Sequence, residues 1–406
     1  MLLFVRCSSD KDEELPTPIP PSVISLKLEP ATYERIKTGE IIISEQSGKK
    51  LLDTVVSTFQ QHSLTIRSLE TNFIVTTIVV DPTTNKAIVD SYVQVNPNNW
   101  VMKPGGRFAM YAPAATTPFE EAKVTYINVP YIPDENFYFT NSFGSGSMFS
   151  SYRRYANELE VNYEKHPSNY TYLVIPSRNL YKIVETQAGN ATIDLAQMEP
   201  ATRVNFKVPA HLKLSWVNLF GFPIANDYAN KLWLYFSHNF RLEGEYDLIY
   251  PKNHIAKFEL STDWFDAAGN FYEYNSLADS IPTHLPFIDD SHVRVTSQTV
   301  ENLQVDFLKS LPTYYASTWV INRDEVVWRV YFPPSKTSFN TKEFVSSLGS
   351  TLLKGKNLSD LKLTKLVFEK VDDLSHQTFF DNQFMEPAAN KENKMRVFNK
   401  FTKKMD

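Results

Sequence analysis

One cysteine, Cys7, is all the thiol chemistry that 406 residues carry. A lone cysteine excludes an intramolecular disulfide and any zinc site built on cysteine ligands. Basic excess is missing too. The 46 acidic and 41 basic residues leave a formal net charge of -5, whereas a nucleic-acid binder carries a basic face or stripe. No apolar run approaches the roughly 20 residues that cross a bilayer as a helix. The best of them, Phe73 to Val80, is strand-length and β-branched. The eight histidines form no His-x-His or His-Glu-x-x-His pair, so no metal site and no cofactor is indicated. Disorder is excluded as well, because 42% of the residues are hydrophobic and 14% aromatic.

What is present is β pattern. Leu26 to Leu28, Glu40 to Ser44, Ser63 to Arg67, Phe73 to Val80 and Ala87 to Val95 are short alternating or β-branched runs. Turn signals such as Ser47-Gly48 and Asp81-Pro82 separate them. Tyr170 to Ile175, Val204 to Val208, Leu212 to Trp216, Leu232 to Phe236, Tyr246 to Tyr250 and Val326 to Phe332 continue the series. The expected fold is therefore mainly β: two or three β-sandwich-like domains, of immunoglobulin-like or transthyretin-like type, with few short helices. Asn340 to Leu348 has an N-cap and Glu343 in its first turn, which predicts one helix; Phe149 to Leu159 suggests another. Boundaries follow from Pro- and Gly-rich stretches: a tether over 1–21, a first sandwich over 22–130, and a β-rich region over 131–385 with a possible division at 230–290. A basic tail over 386–406 carries Lys391, Lys394, Arg396, Lys400, Lys403 and Lys404.

The opening residues say more. Met1 to Arg6 read as the end of an apolar signal segment starting upstream. Cys7-Ser8-Ser9 leads into Asp10, Lys11, Asp12, Glu13 and Glu14, then Pro16, Pro18, Pro20 and Pro21. Such a stretch packs no core and stays extended and solvated. It resembles the start of surface-exposed outer-membrane lipoproteins of the Bacteroidetes type, over about 20 residues. Arg6 departs from the pattern, because that family places a small residue before the cysteine. The resemblance implies that Cys7 is acylated through its sulfur, anchoring the protein in the outer membrane and exposing it at the cell surface. Each buried CH₂ of the lipid would contribute about 0.8 kcal/mol. An unmodified cysteine in a solvated tail is the competing reading.

Candidate sites carry less information. Gly144-Ser145-Gly146-Ser147 has its second glycine misplaced for a nucleophile elbow. Asp289-Asp290-Ser291-His292 and Asp263-x-x-Asp266-x-x-Gly269-Asn270 are possible cation ligands, yet both read more simply as turns. Among 46 acids no spacing singles out a catalytic pair. Aromatic residues are plentiful, and most read as core or interface; Trp264, Tyr272 and Tyr274, set in polar, turn-rich surroundings, are the candidates for a platform on which sugar rings stack. The chain thus reads as a non-catalytic surface lipoprotein whose partners are the membrane, through its lipid, and a glycan or protein, with no nucleic acid. Two alternatives stand beside it. One is a surface polysaccharide hydrolase, which a cleft holding two close carboxylates would favour. The other is a structural subunit, resembling the lipoprotein precursors of Bacteroidetes-type fimbriae.

Overall fold

The computed structural model describes residues 21–30, 36–102, 121–130, 138–141, 151–155, 157–164, 170–185, 191–207, 212–228, 231–237, 245–283, 285, 288–321, 325–385 and 396–405. Two-residue periodicity builds the fold. In Ser22–Leu28, Ile24, Leu26 and Leu28 are buried while Val23, Ser25 and Lys27 face water, as alternation along a strand requires. The protein is mainly β, and its described α-helices are short: α1 (Thr341–Leu348) and α2 (His376–Phe384). No described helix is long and apolar enough to cross a membrane.

One sheet of 12 strands dominates. Its first half runs Leu232–Ser237, Leu212–Phe222, Lys257–Asp266, Phe271–Ala278, then Phe398–Lys404 and Lys362–Val371. The second half continues Tyr314–Ile321, Val326–Phe332, Ala87–Val95, Phe73–Val80, Thr38–Glu45 and Lys50–Ser57. Neighbours are antiparallel except where Ala87–Val95 runs parallel to Val326–Phe332. A small sheet, with Ser22–Leu28 between His62–Ser68 and Val101–Met102, covers part of one face. Ile24, Leu26 and Leu28 there meet Ile41, Ile43 and Val75 of the large sheet in one core. Helix α2 closes the same core. Trp100 donates its indole N–H to Asp381 at 2.8 Å, and Gln377 bonds the backbone of Asn96 through both ends of its amide. The opposite face buries a larger core with Val293, Leu303 and Val305. Glu121–Ile127 and Glu158–Glu164 frame a third cluster together with Leu173 and Ile175.

Three expectations need correction. The first sandwich does not end at 130. Glu121–Ile127 pairs with Glu158–Glu164 and with Ala191–Asp194, and so belongs with strands of the region expected to begin at 131. The parallel pairing of Ala87–Val95 then fuses the N-terminal strands edge-to-edge with the C-terminal ones. Second, Phe149 to Leu159 is no helix. Ser151–Arg154 and Glu158–Glu164 form an antiparallel pair there, with Leu159 and Val161 buried on one face.

The third correction concerns the basic tail. Residues 386–395 lie outside the described residues, but Phe398–Lys404 is an inner strand, paired on one side with Phe271–Ala278 and on the other with Lys362–Val371. Its lysines looked like a solvated run because their partners are far away in sequence. Arg396 meets Glu259 at 3.0 Å, Lys400 meets Glu273 at 2.5 Å and Lys403 meets Asp290 at 2.6 Å. Phe401, fully buried, holds the strand in place. Register lines it up with Tyr272 and Trp264 on one side and with Phe368, Tyr315 and Phe332 on the other. The rings stack along this row: Tyr272–Phe401 at 5.0 Å and 28°, Phe401–Phe368 at 6.0 Å and 20°, Phe368–Tyr315 at 6.2 Å and 19°, Tyr315–Phe332 at 4.8 Å and 23°.

Candidate functional site

That aromatic row decides the fate of the expected sugar platform. Trp264, Tyr272 and Tyr274 are 1%, 3% and 7% exposed, so their ring faces belong to the core and offer no sugar a surface. The polar, turn-rich neighbourhood that suggested exposure is only the hairpin loop between Lys257–Asp266 and Phe271–Ala278. Inside that loop Asp266 accepts from the backbone N–H groups of Ala268 and Asn270, from the Asn270 amide and from the Tyr272 hydroxyl. Gly269, at φ +81°, makes the turn. Asp266 is saturated by the loop it shapes, and the calcium-like spacing of Asp263 to Asn270 has a structural explanation.

The Asp289-Asp290-Ser291-His292 cluster resolves in the same way. Asp289 caps a short 3-10 turn, accepting from Ser291 N at 2.8 Å and Ser291 Oγ at 2.5 Å, with His292 Nδ1 2.9 Å from its carboxylate. Asp290 is taken by Lys403. Among the described residues no group of three His, Cys, Asp or Glu side chains could hold a metal ion. Cys7 and Gly144 to Ser147 lie outside the described residues.

One carboxylate pair does come together. Asp263 and Glu273 stand directly opposite on neighbouring strands, where Cβ atoms lie about 4.5–5.5 Å apart. Burial, and next the Glu273 carboxylate, push Asp263 up to about 7, against an N–H bond from Trp216 and the charge of Lys400. Lys400 in turn holds Glu273.

A cleft of about 350 Å³ lies beside α1. Four separate parts of the chain build it, one of them contributing only Ile74 from Phe73–Val80. The turn joining Thr38–Glu45 to Lys50–Ser57 brings Gln46, Ser47 and Gly48. The turn joining Val293–Gln298 to Leu303–Phe307 brings Glu301 and Asn302. The segment entering α1 brings Lys336, Ser338, Phe339 and Asn340, and the helix itself adds Glu343 and Phe344. Each piece is held by ordinary means. Asn340 caps the helix by accepting from Glu343 N at 3.0 Å, and Lys342 reaches Glu301 at 3.1 Å. Behind the helix, the 2%-exposed Glu40 accepts from Ser350 Oγ, Thr351 N and Leu352 N, fixing the chain that leaves α1.

The floor of the cleft is apolar and rigid. Phe339 packs edge-on against Phe332 at 4.8 Å, and Phe344 lies 5.4 Å from Phe339 and 5.6 Å from Trp328. Around that floor, the side chains of Gln46, Asn302, Lys336 and Ser338 make no hydrogen bond or ion pair among the described residues. A small cleft with an aromatic floor and free polar groups at its rim is chemically suited to binding. Sequence inspection missed it because its residues are ordinary turn residues scattered along the chain. The only readable traces were the Ser47-Gly48 turn and the Asn340 cap.

No family model and no curated protein matches the chain. Among solved structures, the tip fimbrial protein Mfa3 from Porphyromonas gingivalis, with C-terminal truncation, overlays 40% of this chain and 81% of its own at 10% identity and a TM-score of 0.16. A Streptococcal ancillary pilin overlays 77% of this chain and all (100%) of its own, at 10% identity and a TM-score of 0.13. A Ca²⁺-stabilized ice-binding adhesin of an Antarctic bacterium overlays 86% and 95%, at 10% identity and a TM-score of 0.14. At scores this low the β class rests on the chain's own sheets.

Proposed function

We propose that the protein is a non-catalytic recognition protein, lipid-anchored through Cys7 at the outer surface of the cell, whose cleft beside α1 receives a glycan or protein partner. The observation that carries this reading is the set of free polar side chains around the cleft, gathered over buried Phe339 and Phe344. These side chains pair with no other described residue and remain available to a group outside the chain. Loops and turns on a rigid β scaffold are the usual place for such groups. The Cys7 anchor and its proline-rich tether would hold the β body away from the membrane. Two measurements test the proposal. Glycan and peptide arrays probed with the parent and with Gln46→Ala/Asn302→Ala should differ at specific spots; identical profiles refute the cleft. Intact mass of protein extracted from membranes should exceed the polypeptide mass by several hundred daltons of lipid, and an unmodified mass refutes the anchor.

The Asp263–Glu273 pair favours one second reading, a polysaccharide hydrolase in which Asp263, its pKa raised, serves as the general acid beside the Glu273 carboxyl. Its test is hydrolysis of a polysaccharide panel, with Glu273→Gln abolishing any activity found. Activity that survives this substitution assigns the chemistry elsewhere.

A further inference from the structure

Building on the cleft as the recognition site, we infer that its ligand is the end of a neutral, hydroxyl-rich saccharide. Charge argues first. Glu301 is offset by Lys342 at 3.1 Å, and Glu343 shares the cleft with Lys336. The lining itself carries two carboxylates and one ammonium, and with Lys342 from outside the lining set against Glu301 the cleft has no positive surplus to hold a uronate or a phosphate and no net charge to hold an ammonium group.

Selection then falls to hydrogen bonds. The carboxamides of Gln46 and Asn302 each offer one acceptor and two donors, and Ser338 adds a hydroxyl. Neighbouring sugar hydroxyls both donate and accept, so a carboxamide matches two of them at once. Gln46 and Asn302 approach from different sheets, one on the turn after Thr38–Glu45 and the other before Leu303–Phe307. A ligand lying between them is bound from two sides. Beneath it, the small exposed part of Phe339 and Phe344, 9% and 8%, gives the cleft an apolar floor without a free ring face. Their packing on Phe332 and Trp328 fixes that surface before any ligand arrives, which lowers the ordering cost of binding. Size sets the remaining limit. About 350 Å³ lies at the small end of ligand sites, which run from about 300 to 1,000 Å³. That suits a saccharide terminus better than a chain threaded lengthwise.

Calorimetry with the full chain tests this, using cellobiose and N,N′-diacetylchitobiose as neutral probes and digalacturonate as the anionic one. At least one neutral disaccharide should bind, and digalacturonate should bind at least about tenfold more weakly. Asn302→Ala and Gln46→Ala should each weaken the neutral ligand about 3- to 10-fold, the effect of one or two lost hydrogen bonds. Both residues are exposed, so their variants should melt with the parent. Digalacturonate binding as tightly as the neutral sugars overturns the inference and leaves the recognition site standing. Peptide binding that depends on Gln46 and Asn302, with no saccharide binding, does the same. No binding of any probe that responds to these substitutions removes the recognition site itself.

Discussion

Replacing Phe401 with alanine takes the third ring from a row of six aromatic positions and empties a site that is 0% exposed. Three contributions set the size of the effect. Burying a phenylalanine side chain is worth about 1.5–3 kcal/mol. The contacts with Tyr272 at 5.0 Å and Phe368 at 6.0 Å add about 0.5–1.5 kcal/mol each. Both neighbours are strand residues within a continuous ladder, so they cannot collapse far into the vacancy, and the total should approach the upper part of the usual range of about 3–5 kcal/mol for such truncations. Lys403→Ala is the matched control. Its pair with Asp290 is half exposed on the acid side, and such pairs contribute about 0–1 kcal/mol. Urea unfolding followed by tryptophan fluorescence measures both variants, five of the six tryptophans lying in the C-terminal half. A midpoint for Phe401→Ala within about 0.5 kcal/mol of the parent, the size of an ordinary surface change, would refute the placement of Phe398–Lys404 inside the sheet.

The remaining predictions concern burial and charge. Trp264→Ala should behave as a core truncation, destabilising by about 3–5 kcal/mol; a variant with parental stability but lost sugar binding would return Trp264 to the surface. Glu40→Ala leaves Ser350 Oγ, Thr351 N and Leu352 N without their acceptor and should cost about 2–4 kcal/mol; an unchanged denaturation midpoint contradicts this. Asp263 has a folded pKa of about 7 against the ordinary 3.8. Between those values the folded chain keeps a proton that the unfolded chain releases. This contribution to stability therefore falls as pH rises through that window and levels off above it. Asp263→Asn should remove the decline and gain roughly 1–3 kcal/mol at pH 8, an allowance made because Lys400 offsets part of the repulsion from Glu273. A parent and variant with parallel stability–pH curves would overturn the assignment. His376 responds in the opposite sense. Burial holds it near 4, so the unfolded chain takes up a proton first as pH falls below 6.5, and stability drops toward pH 4. His376→Gln should flatten that drop; an unaltered acid limb tells against it.

Much of the fold was readable wherever one face of a strand is dry and the other wet. Ser22–Leu28 and Ala87–Val95 announce themselves by alternation, and α1 by Asn340 and Glu343. Phe398–Lys404 did not, because lysines occupy both faces, and Lys400 and Lys403 each find a carboxylate on a distant segment. No local pattern separates a paired lysine from a solvated one. The same blindness misplaced Trp264 and Tyr272: the strand that buries them is the one taken for a tail. Gln46 and Asn302 carry no local signal at all, since two turns from different sheets define the cleft only after the sheets have assembled.

The position of Phe398–Lys404 also sets the order of assembly. Between the strand groups on either side of it, the hydrogen-bonded connection in the large sheet runs through this segment, and it is made after everything it joins. A ribosome working from the N-terminus therefore releases both groups before the piece that unites them. Until residues 398–404 have emerged, the chain holds two unfinished edges apart, and the large sheet closes only once this strand is free to pair.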